Sequence, residues 1–196
     1  MLKNINVIID PYFFSEVDSD RYMQILDDNL IFLSDEETQV KIGGKYTSIP
    51  RKQVAYSEPN LSYHFAGANI KTIDWNNGDL VSIILKEICA KVNKKTGCYF
   101  NFCLINKYRD GNDYIGPHRD DENDLTSSTI AGVSFGAERK IRFTKVDNDD
   151  QYDKLLNHGS LYVMYPPTNQ YWKHAIPKQH NIKKSRISLT FRCMKI

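Results

Sequence analysis

In the segment Gly116-Pro117-His118-Arg119-Asp120-Asp121-Glu122, a histidine and an aspartate stand two residues apart. Alternate residues of an extended chain point to one side, so the His118 imidazole and the Asp120 carboxylate share a face. Together they offer a nitrogen and an oxygen to a divalent cation. A third ligand completes one face of an octahedron, and two histidines with one carboxylate suit non-haem Fe(II) with positions left open. The remaining histidines are His64, His158, His174 and His180. His158 precedes Gly159-Ser160 and reads as a turn residue; His180 lies in a Lys- and Gln-rich loop; His64 reads equally as a surface imidazole or as part of a substrate wall. His174 follows His118 by 56 positions (174 − 118), far enough to return on another strand, and is the best third ligand.

An H-x-D pair alone is ordinary surface polarity, and its weight comes from its company. In Arg186-Ile187-Ser188-Leu189-Thr190-Phe191-Arg192, the arginines and hydroxyls occupy one face of a strand. Ile187, Leu189 and Phe191 occupy the other and must face the apolar side of a sandwich. Two arginines on an inner surface are costly unless an anion is held there. A dicarboxylate fits, because guanidinium forks bind carboxylates bidentately. Upstream, Asn106 and Tyr108 fall on the same side as Phe100, Phe102 and Leu104, a polar pair placed to hydrogen-bond a ligand.

The elements that position these residues are mostly strands. Tyr99–Tyr108, Ile130–Phe135, Lys140–Lys145, Leu161–Tyr165 and Arg186–Arg192 are rich in branched and aromatic residues and recur at short spacings. That pattern predicts a sandwich or barrel rather than βαβ units, so the class is mainly β with flanking helices (α+β). A first helix follows Ser15-Glu16-Val17-Asp18, with Tyr22, Ile25, Leu26, Leu30 and Leu33 on one face. A second runs from Gly78-Asp79, with Leu80, Ile84, Ile88 and Val92 as its stripe and Gly97 as its end. Asp147 to Gln151 reads as a polar turn.

Composition bounds the rest. At 196 residues, 41% hydrophobic and 26% charged, the chain makes one substantial core and excludes wholesale disorder. A net charge of +2 neither demands nucleic acid nor excludes it. Cys89, Cys98, Cys103 and Cys193 form no C-x-x-C pair, which argues against a zinc ribbon or disulfide framework and for an intracellular protein, cytoplasmic or nuclear, with reduced thiols. No apolar run approaches the roughly 18 to 20 residues of a membrane span, and the N-terminus reads as no signal peptide. A monomer is expected.

The ordered set of Asn106-Lys107-Tyr108, His118-Arg119-Asp120, His174 and Arg186 to Arg192 resembles the AlkB family of Fe(II)- and 2-oxoglutarate-dependent dioxygenases. The similarity extends to Pro50-Arg51-Lys52-Gln53, Tyr108-Arg109-Asp110-Gly111, Ile115 to Glu122, Val133-Ser134-Phe135-Gly136 and His158-Gly159-Ser160-Leu161. It covers roughly Val40 to the last residue and is strongest to the branch that includes animal homologues 2 and 3. The resemblance implies a double-stranded β-helix (jelly-roll) core over residues 96–196, preceded by an extension over residues 1–95 with helices and a nucleotide-recognition lid. It implies Fe(II) held by His118, Asp120 and His174, with 2-oxoglutarate on Asn106, Tyr108, Arg186, Thr190 and Arg192, and O2 as oxidant. On the substrate side it takes in Gly43, Gly44, Lys45, Arg51, Tyr63, His64, Phe65, Asp121 and Glu122. Among these, Tyr63 to Phe65 match an aromatic wall for a flipped base, Asp121 a carboxylate that meets its exocyclic amine, and Arg51 a basic residue near the flipped nucleotide. The implied activity is oxidative demethylation of bases of the 1-methyladenine and 3-methylcytosine type, releasing formaldehyde, succinate and CO2 in repair of methylated single- or double-stranded DNA. RNA is the rival substrate. A binding module that had lost catalysis would show a broken ligand set, and a structural zinc site would be closed by four ligands; this chain shows neither.

Two departures bear on the strand preferred. The relatives resembled most place phenylalanine, which fills the gap left by a flipped base, where this chain has Gly43; Ile42 is a candidate substitute wedge. They also carry a longer, basic loop after the position of Phe143, where this chain reads Asp147-Asn148-Asp149-Asp150-Gln151-Tyr152-Asp153 and would repel phosphate. Both favour single strands. The basic stretch Lys173 to Arg186, with Lys178, Lys183 and Lys184, remains able to hold one backbone.

Overall fold

A computed structural model of the chain describes residues 3–42, 44–61, 63–65, 68–120, 124–148 and 150–195. In chain order the elements begin with β1 (Val7–Asp10), α1 (Glu16–Asn29), β2 (Val40–Ile42), β3 (Lys45–Thr47) and β4 (Lys52–Ser57). There follow β5 (Tyr63–Phe65), β6 (Ala68–Ile70), β7 (Thr72–Asp74), α2 (Leu80–Thr96), β8 (Phe102–Tyr108) and β9 (Ile115–His118). The last are β10 (Ile130–Gly136), β11 (Arg139–Lys145), β12 (Gln151–Leu156), β13 (Ser160–Met164), α3 (Thr168–Tyr171), β14 (Trp172–Ile176) and β15 (Arg186–Arg192).

Two sheets face each other. The larger has the order β1-β13-β10-β15-β8-β4-β7 and the smaller β12-β11-β14-β9. β2-β3 and β5-β6 form separate hairpins. The larger sheet is not built from the C-terminal half alone. β1 covers the edge of β13, and β4 pairs antiparallel with β8, placing Gln53 beside Asn106. Chain from before residue 96 therefore protects edges that would otherwise present unpaired backbone groups.

The helices begin where side chains can cap them. Ser15 accepts from the Asp18 N–H and Asp79 from the Ser82 N–H, and Gly97 closes α2 in the left-handed region at φ 71°. α1 is shorter than its apolar stripe: Leu30 already has extended backbone, and Leu33 packs from beyond the helix into a separate cluster. Leu80 is 48% exposed, so the buried stripe of α2 starts at Val81 and Ile84 instead.

Tyr22 and Leu26 of α1, with Ile84, Leu85 and Ile88 of α2, pack on Val133, Phe135, Ile187, Leu189 and Phe191 of the larger sheet. The apolar side of β15 is thus turned toward the helices and not toward the interior of the sandwich. Its arginine face looks inward, across to the smaller sheet. Tyr108, Ile130, Phe143, Tyr162, Met164, Trp172 and Ile176 fill the space between the sheets. The stretch after β11 is a hairpin turn, in which Asn148 Oδ1 accepts from the Asp150 N–H at 3.0 Å; Asp149 lies outside the described residues. No helix among the described residues is long and apolar enough to cross a membrane.

The cap of α2 lies away from the sandwich interior, so its removal separates stability from site geometry. Replacement of Asp79 by alanine should cost about 1 kcal/mol in chemical denaturation, with ligand binding between the sheets unaltered.

Candidate metal and anion site

β9 and β14 are antiparallel neighbours in the smaller sheet, and their register puts His118 directly beside His174. The two imidazole centroids are 4.2 Å apart. Asp120, just past β9, turns its carboxylate between them: Oδ1 is 3.9 Å from His118 Nε2 and Oδ2 is 3.5 Å from His174 Nε2. One ligand atom from each of the three residues lies within 4.8 Å of the others.

The surroundings fix each side chain. His118 Nδ1 is 2.9 Å from the Gly116 carbonyl, which can only accept, so the proton is on Nδ1 and Nε2 is left as a lone-pair donor. Asn169 of α3 holds the Asp120 backbone at both ends: its Oδ1 accepts from the Asp120 N–H at 3.0 Å, and its amide donates to the Asp120 carbonyl. Arg192 Nη2 donates to Asp120 Oδ1 at 2.6 Å. The other carboxylate oxygen, Oδ2, is buried without a hydrogen-bond partner among the described residues.

Burial would raise the Asp120 carboxyl, but Arg192 and the two histidines outweigh it and hold the group below its ordinary value. Burial, joined by His118 and Arg192, pushes the His174 imidazole well below its ordinary 6.5 against the pull of Asp120. A carboxylate and a neutral imidazole are the forms a cation needs, so no proton must be displaced from either for it to bind. The donor set and the orphaned Oδ2 fit a divalent metal.

On the facing sheet, β15 presents Arg186, Ser188, Thr190 and Arg192 into the same cavity. Arg186 is 1% exposed and donates through Nη2 to Ser134 Oγ at 2.7 Å and Ser188 Oγ at 3.1 Å. Its Nε and Nη1 have no partner among the described residues. A buried guanidinium with spare donors and only hydroxyls for company is a seat for an anion. The Tyr108 ring lies between Arg186 and Arg139, at 5.2 and 5.4 Å. Asn106 Oδ1 accepts from Arg51 Nε at 2.9 Å and from Gln53 Nε2 at 3.1 Å, which leaves its NH2 for a ligand.

The structure thus brings together His118, Asp120, His174, Asn106, Tyr108, Arg186, Thr190, Arg192, Arg51 and Tyr63 around one cavity. Tyr63 is fully buried, its ring 5.3 Å from the Arg192 guanidinium. Gly44 and Lys45 are exposed at the turn of the β2-β3 hairpin and do not line it. The base of that hairpin, Val40 and Thr47, lines a second groove beside His118. His64 and Phe65 belong to β5, but their side chains, together with Gly43, Asp121 and Glu122, lie outside what is described. His158 and His180 are elsewhere: His158 is held by Asp20 and the Gly136 N–H, His180 by Asn112.

Sequence reasoning missed Gln53, Asn169 and Tyr162. Gln53 shares the face of Arg51 by strand alternation, so the signal was there. Nothing local marks Asn169, whose partner is 49 residues away. Tyr162 reads as one more apolar strand residue, yet it lines the cavity. Burial first, and Asp120 next, push its phenol up to about 12, so it remains protonated.

The neutral His174 has a consequence for stability. In the unfolded chain it takes up a proton near its ordinary 6.5, while the folded site resists doing so. The unfolded state therefore binds more protons as pH falls below that value, and Asp120 adds to the loss at lower pH. Metal-free protein should lose about 1–2 kcal/mol of urea stability between roughly pH 7 and pH 5. The decline should be shallower in His174→Gln.

Comparison with known proteins agrees with this geometry. A family model described as the 2OG-Fe(II) oxygenase superfamily matches residues 46–192. The DNA oxidative demethylase ALKBH2 of Homo sapiens is 37% identical over 188 residues, covering 91% of this chain and 70% of that protein. Its Bos taurus counterpart is 36% identical over the same share of this chain and 66% of its own length. The alpha-ketoglutarate-dependent dioxygenase alkB homolog 3 of Mus musculus is 34% identical over 154 residues, covering 72% of this chain and 54% of that protein. The solved structure of OsALKBH1 superposes with a TM-score of 0.58 at 16% identity, covering 98% of this chain and 99% of the other, and shows that the fold is shared. The chain belongs to the AlkB family within the 2OG-Fe(II) oxygenase superfamily.

Proposed function

We propose that this chain is an oxidative demethylase of N-methylated bases in DNA, of the 1-methyladenine and 3-methylcytosine type, working preferentially on single strands. The observation that carries the reading is the convergence, in one cavity, of a His118-Asp120-His174 ligand cluster and a buried Arg186 with spare donors. The names of the ALKBH2 relatives supply the substrate class.

His118, Asp120 and His174 are the residues that would hold Fe(II), and Arg186, Asn106 and Tyr108 those that would hold 2-oxoglutarate. With O2, the iron and the oxo acid would supply an oxidant that hydroxylates an N-methyl group, one oxygen atom going to the methyl carbon and the other to succinate as CO2 is lost. The hydroxymethyl's C–N bond then breaks, the base nitrogen keeps the proton and formaldehyde leaves. What the protein does is orient and shield. Gly116 pins the His118 ring, while Arg192 and Asn169 fix Asp120. The unpartnered Nε and Nη1 of Arg186 are the donors it offers to carboxylate oxygens. Leu104, Ile115, Ile141 and Ile176 give the cavity apolar walls that exclude water. The groove between the β2-β3 hairpin and His118 is the approach for the base, which must leave a duplex stack to reach it.

The single-strand preference has support beyond Gly43. On the β11-β12 hairpin two of the cations are engaged by aspartates: Arg142 pairs with Asp153 at 2.7 Å and Lys145 with Asp147 at 3.1 Å. The paired aspartates offset their attraction for a complementary strand's phosphates.

Incubated with Fe(II), 2-oxoglutarate and a 1-methyladenine oligonucleotide, the protein should remove the methyl group and form succinate in equal amount. His118→Ala should reduce turnover to about 1% or less while oligonucleotide affinity stays within about two-fold. Retained turnover would show that the ligands are misassigned. On matched methylated strands, the single strand should turn over about ten-fold faster than the duplex; equal rates would remove the case for single strands.

A further inference from the structure

Tyr162 sits in β13 between Leu161 and Val163, which point to the helices, and its own ring points into the sandwich. The register of the larger sheet puts Gly132 opposite both Tyr162 and, on the other side, Thr190. A Cβ built on Gly132 would lie 2.0 Å from Tyr162 Cε1 and 2.4 Å from Cζ. The ring therefore lies across β10 in the space that any other residue at 132 would fill. Cζ carries the hydroxyl, so this crossing brings the phenol toward the polar face of β15. Tyr162 is 5% exposed, lines the cavity, and its hydroxyl takes part in no hydrogen bond with another described residue. The hydroxyl is therefore open to the cavity, where phenylalanine would give the same packing but offer a ligand no donor.

We propose that Tyr162 is a further binding residue for the 2-oxo diacid, donating its phenol proton to an oxygen of the acid held near Arg186, and that Gly132 is the residue that admits it. The assignment rests on the reading of this cavity as a 2-oxoglutarate site. The phenol complements the guanidinium: the arginine supplies charge and its unpartnered Nε and Nη1, the tyrosine a single directed donor from β13, reaching across β10.

The test is calorimetric titration of 2-oxoglutarate into the Mn(II)-loaded protein, which binds the acid without turning it over. Tyr162→Phe removes only the hydroxyl. Its Kd for 2-oxoglutarate should rise about three-fold to ten-fold, with thermal midpoint and oligonucleotide affinity unchanged. With Fe(II), the KM for 2-oxoglutarate should rise alike while kcat stays within about two-fold. Gly132→Ala, which drives the ring out of its place, should weaken the same binding. If the wild-type protein fails to bind 2-oxoglutarate, the reading of the cavity falls and the assignment with it. Should the wild type bind and Tyr162→Phe bind equally well, the role of Tyr162 alone is overturned. A loss shared by acid binding, oligonucleotide affinity and thermal midpoint would show a packing role and overturn it too.

Discussion

Asp120 is a charged carboxylate, 2% exposed, between two facing sheets. Taking such a group out of water costs several kcal/mol unless the charge is matched, and the surrounding structure is arranged to match it. Arg192 takes one oxygen at 2.6 Å. The two histidines face the carboxylate, and Asn169 clamps its backbone. What is left, an unpartnered oxygen beside two imidazole nitrogens, is an electron-rich corner that a cation completes. The groups that offset the cost of burial are thus the same ones that could hold a metal.

The same economy of faces organises β15. Alternation sends Ile187, Leu189 and Phe191 into the helix layer and Arg186, Ser188, Thr190 and Arg192 into the cavity. One strand therefore anchors the apolar core on one side and supplies most of the polar site on the other. A slip of one residue would exchange the two sets and bury both arginines beneath the helices. The pairing of β15 with both β10 and β8 holds the register. It also sets Arg186 beside Tyr108 and Ser188 beside Asn106, so the candidate anion-binding residues come from neighbouring strands of one sheet.

Around this centre the structure is charged but largely self-satisfied. Arg142 and Lys145 pair with aspartates on their own hairpin, and Arg139 spends its donors on the carbonyls of Asp110, Asp113 and Pro177. Arg186, by contrast, is buried with hydroxyls as its hydrogen-bond acceptors, and its Nε and Nη1 have no partner among the described residues. This separates arginines that hold the fold from the one poised for a ligand, a distinction that residue type alone does not make.

Much of this was legible in the order of residues. H-x-D spacing, alternation along Arg186 to Arg192, the caps at Asp79 and Gly97, and the strand-rich C-terminal half follow from local geometry, because strand and helix periods act over a few residues. The inward orientation of the arginine face was legible as well, but the location of its apolar partner face was not. Alternation says that two faces differ, while the helix layer decides which one meets oil. Tertiary structure alone decided that β1, β4 and β7 complete the larger sheet, that Asn169 reaches Asp120, and that Gly132 clears a path for the Tyr162 ring. Each depends on contacts between segments far apart in the chain, where no local pattern carries a signal and only the packing of whole elements brings the partners together.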